Sequence, residues 1–269
     1  MSGYSSFDAY VESTASAPQL RPFGQTLTGT APNIHDFWTG SIPTAGGVPT
    51  TAAVPTSSTA GAMPFINGGT GRLTLAAATL ASGGSGMVLM CDRLSHQGGL
   101  SGTVTTAQTT NLPTAALTRH TSGVGVMMGL SIYTNLGTTA TTVTVSYTNS
   151  AGTSGRTSPA VSFGDSVRFA TYLRMLPLQE GDVGVKSVES VTLAGTTGTA
   201  GNFGVTLFKP LVAFNPTTPI TSQVFDLLSG GMLGGLPEVV DDAALFFVIR
   251  QTLSSNFACH GLVHLEEVA

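Results

Sequence analysis

Two histidines four residues apart, His260 and His264 in CHGLVHLEE, are the first candidates for chemistry in this 269-residue chain. On a helix, H-x-x-x-H points both rings one way and could bind zinc, here beside Glu266 and Glu267. Gly261, Leu262 and Val263 favour a strand instead. There, positions four apart share a face but lie roughly 13 Å apart, too far for one metal ion. The general-base glutamate of H-E-x-x-H is also missing, so no metal is expected here.

The best polar candidate is Asp92–Gly99 (DRLSHQGG), which places Asp92, Ser95 and His96 in one loop after an apolar run. A Ser-His-Asp triad needs its nucleophile on a strained elbow beside an oxyanion hole, and no G-x-S-x-G is present. The expectation is a connecting loop with local hydrogen bonds. Thr118–Ser122 (TRHTS) reads the same way. Paired acids at Asp241–Asp242, Glu266–Glu267 and Glu180/Asp182 fit turns better than a carboxylate pair across a cleft. Gly230–Gly235 (GGMLGG) lacks the lysine of a phosphate loop and reads as a corner. No enzyme activity, cofactor or metal is expected. Cys91 and Cys259 sit in apolar runs and read as two buried free thiols, with one bridge between an early and a late strand as the alternative.

The elements that carry these residues are strands. Thr141–Thr148 (TTVTVSYT) alternates strictly, with Val143, Val145 and Tyr147 on one face, and Gly155–Val161 offers a hairpin partner across the turn Asn149–Gly152. Further strands are expected at Arg72–Leu80, Met87–Leu94, Val124–Tyr133, Val167–Leu176, Val183–Leu193, Phe203–Phe214, Ala243–Thr252 and Cys259–Glu266. Ser222–Leu228 could form two helical turns ending at a glycine cap. Nine or ten strands and no βαβ alternation predict an all-β antiparallel sandwich, jelly-roll-like, over residues 71–269.

Residues 1–70 differ. Ser13–Gly71 holds seven of the 14 prolines, separated by small polar residues as in GSIPTAGGVPTTAAVPTSSTAG. Proline blocks helix and central strand, which predicts an extended N-terminal arm. Phe7, Tyr10, Leu20, Phe23, Ile34, Phe37 and Trp38 recur along it as spaced anchors. They read either as contacts to a neighbouring subunit or as a tail wrapped on its own domain.

Composition narrows the function. Asp, Glu, Lys and Arg make up 9% of the chain, against roughly a quarter in an ordinary soluble domain. A free-floating protein keeps its distance from others by charge. A chain with so little of it spends its surface on other protein. The net charge is −4, and Arg168, Arg174 and Lys186, the nearest thing to a basic cluster, are well separated, so nucleic acid is not an expected partner. The N-terminus MSGYSSFDAYVEST shows no basic or apolar signal region, and no apolar run approaches membrane length. The expectation is assembly in a cytoplasm, with no membrane partner.

The block Leu173–Leu211 (LRMLPLQEGDVGVKSVESVTLAGTTGTAGNFGVTLFKPL) resembles virion structural proteins of tailed bacteriophages, in its order PLQ-x-GD-x-G-V-K-S-V-x-S-V followed by FGVTLFKPL. Leu130–Arg156, with YTNSAGTSGR, has the same texture. The resemblance implies a head-associated β-sandwich of the capsid decoration or minor capsid kind, without catalytic residues. The partners it implies are the major capsid protein and copies of the chain itself, a homotrimer foremost. A tail, neck or fibre component is the alternative, and a carbohydrate-binding sandwich for host attachment a third reading.

Overall fold

Two long strands, β4 (Gly86–His96) and β11 (Asn202–Phe214), pair antiparallel through the centre of the molecule. The structure, a computed structural model, describes residues 19–28, 33–40, 44–69, 72–216, 222–226, 237–251 and 256–268. Around β4 and β11, a six-stranded antiparallel sheet runs β2 (Ile34–Asp36), β14 (Leu245–Gln251), β4, β11, β5 (Met127–Thr134), β9 (Leu173–Leu176). It curls until its ends meet. His35 bridges Tyr172, and the Asp36 N–H donates to Thr171 O at 2.7 Å, closing a barrel by a short seam. Thr171 holds φ at +74°, a left-handed conformation costly for a β-branched residue. Its N–H donates to Ile132 O at 2.8 Å and its Oγ1 lies 3.2 Å from His35 Nδ1, so the seam itself holds it there.

Two smaller sheets pack on the outside of this barrel. One runs β1 (Gln19–Thr28), β15 (Asn256–Val268), β3 (Arg72–Ser82), β12 (Ser222–Asp226), with β13 (Glu238–Val239) also on β3. The other runs β10 (Val185–Leu193), β6 (Thr141–Asn149), β7 (Arg156–Thr157), with β8 (Val161–Phe163) also on β6. The period-two alternation of β4 explains three cores. Val88 and Met90 face the first outer sheet and meet Leu75, Leu80, Phe247 and Val263. Leu94 joins Val143, Val145, Val188, Val191 and Val205 under the second. Cys91 points into the barrel with Trp38, Leu173, Phe208 and Phe246.

The all-β antiparallel sandwich expectation holds, and Val143, Val145 and Tyr147 form the buried face of β6 as their alternation predicts. Among the described residues no helix is long and apolar enough to cross a membrane. One expectation needs correction. Ser222–Asp226 is a strand, β12, paired with β3, because its Val224–Phe225 run finds a sheet edge that overrides a short helical pattern. Of the two readings of residues 1–70, the described part fits a tail wrapped on its own domain. Residues 19–28 form β1, residues 34–36 form β2, and Met63 N–H donates to Leu245 O at 2.8 Å. Pro22 is tolerated because β1 is an edge strand, where a missing N–H breaks no inner ladder.

The Gly/Ala/Pro/Thr stretch after Trp38 is packing material rather than linker. Trp38 Nε1 donates to Gly47 O at 3.0 Å. A Cβ on Gly46 or Gly61 would sit 2.4 or 2.7 Å from the indole, so only glycine lets the chain close on this ring.

Candidate functional site

The most polar part of the interior lies inside the barrel. Arg93 from β4 is fully buried and ion-pairs with Asp36 from β2. Its guanidinium sits between two rings, 4.6 Å from the Trp38 centroid and 4.2 Å from Phe246. Asp36 also accepts from the Trp38 N–H (2.8 Å) and from Ser131 Oγ (2.8 Å). Thr206 Oγ1 lies 2.9 Å from Ser131 Oγ and accepts from Arg93 Nη1 at 3.4 Å. A β-bulge at Leu94, where Arg93 and Ser95 pair with the consecutive residues Phe208 and Leu207, brings His96 back to this side. His96 Nδ1 then lies 3.4 Å from Arg93 Nη1 and 3.4 Å from Tyr133 Oη.

This arrangement suits a structural keystone and not acid–base chemistry. Burial, and then the neighbouring Arg93 charge, push the His96 pKa down to about 2, so the ring stays neutral in ordinary buffers. Burial likewise raises the Tyr133 hydroxyl above its usual range. A general acid or base needs a pKa near the working pH, and these two are moved away from it.

Asp92, Ser95 and His96 do not assemble. Asp92 projects from the other face of β4, at the joint between the two outer cores. There Arg119 grips it with Nε (3.0 Å) and Nη2 (2.9 Å), and the Ala244 N–H adds a third bond at 2.8 Å. His120 Nε2 approaches to 3.5 Å. Arg119 Nη2 continues to Pro55 O and Arg93 O, tying three segments together. Thr118–Ser122 is thus the holder of this joint rather than a loop of solvated groups.

The turn at Glu180–Asp182 is a third network. Tyr147 Oη donates to Asp182 at 2.5 Å, Asn149 Nδ2 at 2.7 Å and Arg156 Nε at 2.9 Å. The Arg156 and Tyr147 bonds hold the Asp182 carboxyl down at about 2. Glu189 receives Ser146, Thr148 and the Gly155 N–H; burial raises its pKa, but these donors outweigh that and leave it below the usual range.

His260 and His264 stand on β15, a strand, opposite Ala81 and Ala77 of β3, and His264 Nε2 lies 3.0 Å from Glu266 Oε1. Among the described residues, no group of three or more His, Cys, Asp or Glu side chains converges as metal ligands would. Cys91 and Cys259 are free and buried, one in the barrel and one under the first outer sheet.

The expected anchors divide. Phe7 and Tyr10 lie outside the described residues. Leu20 is 56% exposed. Phe23 is buried, stacked on Phe247 at 4.2 Å, and Phe37 and Trp38 are buried too. Ile34 is half-buried at the barrel end. The Asp36–Arg93 pair went unread in the sequence because its members stand 57 residues apart.

No family model matches this chain, and neither does any curated protein. Among solved structures it is similar to an infectious bursal disease virus Gt strain structure, at 8% identity and TM-score 0.21, covering 94% of this chain and 81% of that one. It is also similar to the VP2 subviral particle of that virus, at 9% identity and TM-score 0.20, covering 94% and 80%. A third is the T13 particle of the same virus, at 8% identity and TM-score 0.22, covering 94% and 78%. Overlap this loose puts no residue of this chain in correspondence with theirs.

Proposed function

We propose that this chain is a structural virion protein of a tailed phage, a capsid decoration or cement subunit, and not an enzyme. The observation that carries the reading is the outer face of the first outer sheet. The register aligns Val224, Thr79, Leu262 and Pro22 in one row across four strands. Val224 is 72% exposed, Leu262 42% and Leu20, one pair further along, 56%. The row contains no charged residue. On a chain with only 9% charged residues, such a face fits contact with other protein.

The interior supports the same reading. Arg93–Asp36, Arg119–Asp92 and Arg156–Asp182 each join separate elements, which suits a subunit built for rigidity. The mechanism is mechanical. Covered apolar surface adds about 25 cal/mol per Å² before ordering costs, multiplied over many copies. The proposed partners are the major capsid protein and further copies of the chain, as a homotrimer. Sedimentation of the purified chain tests self-association directly. A trimer that Val224→Asp or Leu262→Asp dissociates supports the reading, and a monomer up to high concentration argues against it.

A further inference from the structure

A groove of about 620 Å³ opens beside the barrel seam, between the start of β2, the segment 162–169, β9 and the end of β14. Its floor is apolar, with Ile34, Leu173 and Met175, and Phe169 and Tyr172 add rings. Its only charged lining groups are Arg174 and Arg250. Among the described residues neither side chain has a hydrogen-bond or ion-pair partner, and Arg174 Nε is shut off from water with no acceptor. Arg93, Arg119 and Arg156, by contrast, each hold a carboxylate. A guanidinium donor withdrawn from water without an acceptor is costly, and the cost is removed by an anion. Burial lowers the pKa of Arg174, as expected of a cation that lacks its counter-charge.

We infer that this groove receives residues 1–18 of a neighbouring copy, with Asp8 and Glu12 on the two arginines and Phe7, Tyr10 and Val11 on the apolar floor. Charge complementarity selects the occupant. Asp8 and Glu12 are the only charged side chains in MSGYSSFDAYVESTASAP, both acidic, and each adjoins an apolar residue. Arg250 pairs with Ile34 on β2, and β9, which carries Arg174, lies across the seam from β2, so both arginines border the one opening. Eighteen residues ahead of β1 reach up to about 60 Å, enough to cross to an adjacent subunit. This inference rests on the assembly reading and names the site that reading leaves open.

The test titrates a fluorescein-labelled peptide of residues 1–18 with the full chain at low salt and reads anisotropy. Saturable binding is expected. Arg174→Glu with Arg250→Glu should weaken it by about tenfold or more. A peptide carrying Asp8→Arg and Glu12→Arg should fail on the natural chain and bind the doubly reversed one. Circular dichroism melts of the reversed chain check its folding, and Arg250→Glu alone, at an exposed position, gives a second, milder variant. Binding that ignores both reversals overturns the groove assignment while the assembly reading stands. Absence of binding at chain concentrations that sediment as monomer, where no neighbour fills the groove, also overturns it, and sedimentation at higher concentration decides the assembly reading separately. Binding lost in the reversed chain while its sedimentation stays unchanged shows docking within one copy and overturns the assignment to a neighbour.

Discussion

Asp36→Ala should be among the most damaging single substitutions in the described fold. It strips the counter-charge from Arg93, which is fully enclosed between Trp38 and Phe246, and leaves the Trp38 N–H and the Ser131 hydroxyl without their acceptor. Breaking a buried pair by removing one partner costs about 3–5 kcal/mol, because the remaining charge stays uncompensated. That is a large part of the roughly 5–15 kcal/mol that holds a domain folded. With a urea slope of about 3 kcal/mol/M, the unfolding midpoint should fall by roughly 1 M or more. Trp38 is the only tryptophan, so its fluorescence reports on this cluster directly. Asp36→Leu combined with Arg93→Met should destabilise less than the sum of the single changes, with a coupling of about 1–3 kcal/mol. A midpoint for Asp36→Ala within about 0.3 M of the natural chain would refute the keystone assignment, because it corresponds to about 1 kcal/mol or less at this slope.

Other consequences can be measured directly. The Asp182 carboxyl is depressed to about 2 from 3.8, so its stabilising effect is present above pH 4 and lost as pH falls towards 2; Asp182→Asn should flatten that part of a stability–pH curve. His96 is held neutral to about pH 2, whereas the unfolded chain takes up that proton near pH 6.5, so this group lowers stability progressively below pH 6.5. Its imidazole NMR signals should therefore not move between pH 4 and 8. Burial pushes the Cys259 thiol up to about 12 and raises Cys91 further, so neither should react with a thiol reagent until the chain unfolds. Gly204→Ala would put a Cβ 1.5 Å from Gln97 O in the centre of the fold and should cost about 3 kcal/mol or more, seen in a melting curve.

Much of the fold was legible because β patterning is local. The alternation in Thr141–Thr148 gave the face of β6, and the apolar runs gave β4, β5, β11 and β14. What stayed hidden depends on contacts between distant segments. Prolines 22, 49, 55 and 64 look like breaks in a strand pattern, but an edge strand and a coil packed on Trp38 accommodate them. Small residues look like linker until an indole is placed against Gly46 and Gly61. The polar candidates Asp92, Ser95 and His96 are close in sequence, yet alternation and the bulge at Leu94 turn Asp92 and His96 to opposite sides of one strand. Arg119, which looked solvated, proved to be the partner that makes burying Asp92 possible.

Electron microscopy of purified particles, with this chain tagged, locates it in the particle. Regularly repeated density on the head shell is expected, in symmetric clusters that contact the major capsid protein. Particles that carry no copy of it, or carry it only at the tail, rule out a capsid decoration subunit.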